Sequence, residues 1–186
     1  DTNSGFKRYI KLFDPKKQQS YDFNRDNLAF ESVEQMDKTT LKVVLKNKNI
    51  TLPVGCIFQS RSIVRDQVGA LIQRSKNIRF ENLRVKFMHG LGMVSQFSEN
   101  IEYINCDLTP AEGRTITSTA DFFQFSGCKG NIVIDNCKAW GAHDDYVNVH
   151  GTHLRIIEAD NDNNKLLVRF MHPESWGFQA FQVGDE

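Results

Sequence analysis

Three aspartates carry the strongest chemical signal in this sequence. Asp121 lies ten residues before Asn131, and the adjacent Asp144 and Asp145 lie nine and eight residues before His153. Asn131 and His153 each open a copy of one repeat, so the three carboxylates are expected at the same bend of consecutive repeats. Strands stacked about 4.8 Å apart would bring them together in one surface groove. Carboxylates that close raise one another's pKa, and this makes a general acid and a general base from a single residue type. Such a set suits glycoside hydrolysis; an inverting version is expected to hold its acid and base about 6.5–9.5 Å apart, with a water between them. The surrounding groups suit sugar hydroxyls: Arg114, Thr117, Ser118, Thr119, His143, Asn148 and His150, with Trp140 as an aromatic platform. The matching stretch of the preceding repeat is His89-Gly90-Leu91-Gly92. It adds His89, and its glycines read as room for a ligand. The histidines are read as hydrogen-bonding groups rather than proton carriers. Oxygen ligands of this kind also suit Ca²⁺, a reading placed below hydrolysis, and neither metal nor cofactor is expected.

The elements that position these residues show up as an internal repeat. Asn77-Ile78-Arg79-Phe80-Glu81-Asn82-Leu83-Arg84-Val85, Asn100-Ile101-Glu102-Tyr103-Ile104-Asn105-Cys106-Asp107-Leu108 and Asn131-Ile132-Val133-Ile134-Asp135-Asn136-Cys137-Lys138-Ala139 share one pattern. A fainter fourth copy, His153 to Ala159, keeps the apolar alternation and loses the asparagines. Ile78, Ile101, Ile132 and Leu154 recur at intervals of 23, 31 and 22 residues. Alternation of apolar and polar residues gives strands with one buried face, and about 22 residues is too short for a strand, a crossover helix and a return. The fold class expected is therefore all-β, a right-handed parallel β-helix, with the surplus of the long repeat in a loop at Thr109 to Thr115. Asn82, Asn105 and Asn136 should stack and hydrogen-bond along the axis, with Cys106 and Cys137 as unbonded neighbours.

Flanking segments read as antiparallel β additions of barrel-like type. Thr40 to Leu45 and Ile50 to Phe58 are expected as a hairpin across Lys46-Asn47-Lys48-Asn49, and Asp160 to Asn164 as a turn into Lys165 to Phe170. The final stretch, Phe181 to Glu186, reads as a further meander segment. The best helical stretch is Asp26 to Gln35. The divisions expected are an accessory segment over 1–60, repeats carrying the site over 61–159, and a second antiparallel segment from 160 to 186, the whole being a piece of a longer chain.

Composition narrows the partners. Lys and Arg number 23 against 23 Asp and Glu in 186 residues, so no summed positive field is present to hold nucleic acid. No run approaches the roughly 18 apolar residues of a membrane helix, and the first residues lack the features of a signal peptide. Four cysteines without CxxC spacing argue against zinc.

The runs Thr117-Ser118-Thr119-Ala120-Asp121, Cys128-Lys129-Gly130, Ile134-Asp135-Asn136-Cys137 and Asp144-Asp145-Tyr146-Val147-Asn148-Val149-His150-Gly151 resemble the core of the α-1,3-galactosidases of glycoside hydrolase family 110. Phe170 to Pro173 and Phe181 to Asp185 are similar to the segment after that core in the same family. The resemblance implies a secreted or periplasmic bacterial enzyme that removes terminal α-1,3-linked galactose with inversion and without a metal, its partner being an α-galactoside. It also implies Asp144 as general acid, with Asp121 and Asp145 holding the attacking water; the residues by themselves leave those roles open. Where a histidine is expected shortly after the first aspartate, this chain has Phe122-Phe123-Gln124-Phe125. Two other readings of the groove are a non-catalytic carbohydrate-binding β-helix and a pectinase or polysaccharide-lyase-like enzyme.

Overall fold

The structure, a computed structural model, describes residues 10–22, 30–50, 52–61, 65–172, 175 and 178–184. Among these residues there is no α-helix, and the elements are strands joined by turns. The leading segment holds β1 (Ile10–Asp14), β2 (Gln19–Asp22), β3 (Phe30–Gln35), β4 (Leu41–Leu45) and β5 (Ile57–Ser60). The repeats hold β6 (Val68–Gln73), β7 (Lys76–Glu81), β8 (Leu91–Gln96), β9 (Glu99–Ile104), β10 (Asp107–Leu108), β11 (Phe123–Ser126), β12 (Lys129–Asp135), β13 (Lys138–Ala139) and β14 (Val147–His150). The last two strands are β15 (Leu154–Asp160) and β16 (Lys165–Phe170).

The repeats build parallel sheets. One runs β12-β9-β7, another β14-β11-β8-β6, and a short third pairs β10 with β13. The register follows the sequence repeat: Ile78, Ile101 and Ile132 are partners, as are Phe80, Tyr103 and Ile134. Alternation explains what is inside. Ile101, Tyr103, Phe123 and Phe125 are almost fully enclosed, whereas Arg79 and Glu102 face out and pair at 2.8 Å. Stacking like on like continues within the core, where the Phe80 and Tyr103 rings lie 4.9 Å apart and nearly parallel. Most of the surplus length of the long repeat falls between β10 and Ser118, and a β-bulge between Lys129 and Ile132 takes up the remainder.

The asparagine column forms as expected. Asn105 Nδ2 donates to Asn82 Oδ1 at 2.6 Å and Asn136 Nδ2 to Asn105 Oδ1 at 3.4 Å. All three have positive φ, between 49° and 58°, a region that asparagine tolerates better than other side chains. The repeat needs them at the corner after the strand, where the backbone turns and the amide satisfies its neighbour. A second ladder, not anticipated, runs from Asn77 to Asn100 to the backbone N–H of Asn131. Cys106 and Cys137 are unbonded neighbours, the Cys106 N–H lying 3.4 Å from the Cys137 sulfur.

Four expectations are corrected. The fourth copy does not join the parallel sheets: β15 turns back on β16 as an antiparallel hairpin, because Asp160 holds a tight turn through Asn163. Without the corner asparagines the segment has nothing to carry it into the ladder. Similarly, β4 pairs with β3, and β5 with β1, so Lys46 to Asn49 does not join a hairpin. Asp37 supplies the turn instead, accepting from the N–H groups of Thr39 and Thr40 at 2.7 and 2.8 Å. The helical stretch also fails where it can be seen, since Phe30–Gln35 is strand and 26–29 lie outside the described residues. The expected segment at the end of the chain is irregular over 178–184, and 185–186 are likewise outside the described residues.

Candidate active site

Two equivalent bends carry the carboxylates. Ser118 bridges to Ala142 in parallel fashion, and Phe123 pairs with Val147, so the register places Asp121 opposite Asp145. The backbone holds this tightly: Phe122 N–H donates to the Asp145 carbonyl at 3.0 Å, and Ser118 Oγ donates to the Asp121 carbonyl at 2.8 Å. Oxygens of Asp121, Asp144 and Asp145 all lie within 4.8 Å of one another. The three aspartates are thus brought together, but closer than the acid–base separation expected of an inverting pair. Stacking on adjacent strands imposes this, since the strand spacing limits how far apart the bends can be. The same oxygens have a geometry that could take a divalent cation.

Their environments differ. Asp121 is buried, and accepts from the Asp145 N–H at 3.3 Å and from Asn148 Nδ2 at 3.2 Å. Burial raises its pKa above the ordinary carboxylate value; the charges of Asp144 and Asp145 push the same way, and the two hydrogen bonds oppose. Asp144 and Asp145 are exposed. Arg65 donates to Asp144 Oδ2 at 2.7 Å, which fixes where that oxygen points.

Beside Asp121 opens a cavity of about 610 Å³, within the roughly 300–1,000 Å³ usual for small-ligand sites. Its floor is the outer face of the four-stranded sheet, with Gln96, Gln124, Ser126, Asn148 and His150. They are the polar half of an alternation whose apolar half, Phe123 and Phe125, fills the core. One wall comes from His172, Ser175 and Phe178. That wall is fastened by the edge-on contact of Phe178 with Phe97 at 5.5 Å and by Gln182 Nε2 donating to the Gly127 carbonyl at 2.7 Å.

Of the expected sugar-binding residues, Asn148 and His150 line this cavity; Arg114, Thr119, His143 and His89 do not. Thr119 spends its hydroxyl on Gly90, accepting from its N–H at 2.7 Å and donating to its carbonyl at 3.2 Å. His143 is buried against Gln59 Oε1 at 3.2 Å and props the bend behind Asp144. His89 is exposed, 3.7 Å from Asp66. Arg114 is exposed in the turn after Ala111. Trp140 stacks on Phe13 at 6.2 Å and does not line the cavity.

Gly90 and Gly92 serve the backbone rather than a ligand. A Cβ on Gly92 would strike the carbonyl oxygens of Phe122 and Asp121, and one on Gly90 the carbonyl of Gln67. Gly92→Ala is accordingly expected to displace the Asp121 bend, costing about 1–3 kcal/mol of stability. Thermal melts check this, and a variant as stable as the parent would contradict it.

Sequence reasoning missed Arg65, Gln124, Ser126 and the wall formed by His172, Ser175 and Phe178. Gln124 and Ser126 were signalled by alternation after Asp121. Arg65 comes from a segment with no counterpart in the repeat, so nothing in the spacing pointed to it.

Three clustered carboxylates, one of them lining a cavity that also holds polar side chains, have the makings of a glycosidase site. Comparison with known sequences agrees. Over 155 residues the chain is 43% identical to an α-1,3-galactosidase A of Akkermansia muciniphila, covering 82% of this chain and 26% of that protein. It is 50% identical over 133 residues to one from Bacteroides fragilis, covering 70% and 22%. Against one from Streptomyces avermitilis it is 33% identical over 184 residues, covering 96% and 29%. No protein-family model matches the sequence. On these relatives the chain belongs to the α-1,3-galactosidase family, glycoside hydrolase family 110. It spans less than a third of the length of these three relatives.

Proposed function

We propose that this chain carries the catalytic carboxylates of a glycoside hydrolase that removes terminal α-1,3-linked galactose from glycans, with inversion. The observation that carries the reading is the convergence of Asp121, Asp144 and Asp145 beside the cavity, in a chain whose relatives are named for that activity. In this proposal the parallel sheets are coils of a right-handed parallel β-helix, and the protein works in a secreted or periplasmic setting.

The roles proposed are those the resemblance implies, and the surroundings of each aspartate are compatible with them. A base works best when its pKa approaches the working pH, and the raised pKa of Asp121 suits it to take a proton from water. Asp145, joined to it through its N–H, completes the grip on that water. Asp144, exposed and with its Oδ2 positioned by Arg65, takes the role the resemblance implies, protonating the departing oxygen. A water held between two carboxylates allows a closer arrangement than one base facing one acid, which is how three aspartates within 4.8 Å are reconciled with inversion.

Proton NMR tests both activity and stereochemistry. The full-length protein mixed with an α-1,3-linked galactose disaccharide is expected to release β-galactose first, with the α anomer appearing only by mutarotation. Release of α-galactose first would overturn inversion, and no release would overturn the activity.

A further inference from the structure

The cavity floor contains a hydrogen-bond deficit beside the carboxylates. His150 Nδ1 lies 3.1 Å from the Gly151 carbonyl, which can only accept, so the proton sits on Nδ1. The other ring nitrogen, Nε2, then presents a lone pair to Gln124 Nε2 at 3.4 Å, and the Gln124 amide donates to it. That orientation turns Gln124 Oε1 away from His150. It is buried and has no donor among the described residues, and the same is true of the Ser126 hydroxyl two positions along the strand. Both residues line the cavity, and Gln124 is the register partner of Asn148, which holds Asp121. A buried carbonyl without a donor is costly, and side chains left so in a cavity point to a ligand that completes them.

We propose that Gln124 determines specificity by accepting a hydrogen bond from one hydroxyl of the bound sugar, with Ser126 pairing a neighbouring polar atom of the same ligand. The inference rests on the glycosidase reading of the site and adds to it a chemical requirement. The ligand must present a donor at that position, so a group that is polar but cannot donate is rejected. Asp121 and Gln124 Oε1 are both acceptors on one floor, which suits a polyhydroxylated ligand over an anionic one.

The test compares the full-length protein with Gln124→Met, which keeps chain length and removes the acceptor. The substrates are α-galactosides in which one hydroxyl at a time is replaced by fluorine. Fluorine keeps size and polarity but donates nothing, and its inductive effect on the reaction cancels when two proteins are compared on one substrate. At one position the parent protein is expected to lose about 10- to 100-fold in kcat/KM, with Gln124→Met insensitive there. Loss spread evenly over all substrates would mean that Gln124 only orients His150, and would overturn the proposal, as would identical profiles for the two proteins. If Gln124→Met melts far below the parent, Gln124→Glu replaces it, because it retains an acceptor and is expected to keep the sensitivity at that one position; loss of the sensitivity there overturns the proposal. Should the parent cleave no α-galactoside, the functional reading falls and this inference with it. Turnover with a flat fluorine profile overturns this inference alone.

Discussion

Asp144→Asn is expected to lower kcat by about 10²- to 10⁴-fold on a disaccharide substrate while leaving the fold intact. Asparagine has nearly the same shape but no transferable proton, so the sugar leaving group must depart unprotonated. The structure gives little reason for the variant to unfold. Asp144 is exposed, and its bond to Arg65 is of the solvent-facing kind that contributes at most about 1 kcal/mol. Leaving-group chemistry separates the acid role from a role in holding water. An aryl galactoside whose phenol departs readily needs little protonation, so Asp144→Asn should lose less than about tenfold on it. An equal loss on both substrates would mean that Asp144 does not protonate the leaving group. Circular dichroism and melting temperature, measured on the same preparations, confirm that the comparison concerns chemistry.

The repeat was legible because each residue in it performs a local task. Ile101 and Tyr103 alternate inward, and Asn105 adopts positive φ at the corner and bonds the asparagine one repeat below. Patterns of that kind require no knowledge of distant parts of the chain. The turn at Asp160 to Asn164 into Lys165–Phe170 was legible from its turn residues, but the placement of Leu154–Asp160 in that antiparallel hairpin rather than in a fourth parallel repeat was missed for the complementary reason. Alternation in Leu154–Asp160 is equally good in a parallel or an antiparallel ladder, and the turn chemistry at Asp160 decides. The aspartates were legible as a column, although the observed register matches Asp121 with Asp145 and leaves Asp144 beside it. What could not be read was which polar residues were already occupied. Thr119 and His143 are as polar as Asn148, yet Gly90 and Gln59 consume their hydrogen bonds, and those partners lie 29 and 84 residues away. Arg65 reaches Asp144 across 79 residues, outside any period.

Asp121→Asn is expected to abolish turnover as thoroughly as Asp144→Asn, yet to make the protein more stable at neutral pH. Both effects have one cause. Burial, reinforced by Asp144 and Asp145, raises the pKa of Asp121 above that of the unfolded chain, so the folded state binds the proton more tightly. Stability then falls as pH rises from the unfolded pKa to the folded one, and at neutral pH the full cost of an ionised Asp121 is present. Asparagine removes that charge. Its carbonyl can still accept from the Asp145 N–H, and its NH2 can donate to Asn148 Oδ1 once the Asn148 amide flips. The melting temperature at pH 7 is expected to rise by about 2–4 °C for each kcal/mol recovered. The advantage should vanish below about pH 3.8, where aspartate is protonated in both states. Melting curves of the two proteins from pH 3 to pH 8 measure this: a gain that grows with pH supports the assignment, and a loss of stability at neutral pH would overturn it. A site that destabilises its own fold is expected of a functional carboxylate, because the burial and crowding that weaken the native state also tune the group as a base. An aspartate retained only for structure would behave in the opposite way, with its removal costing stability at every pH above its titration.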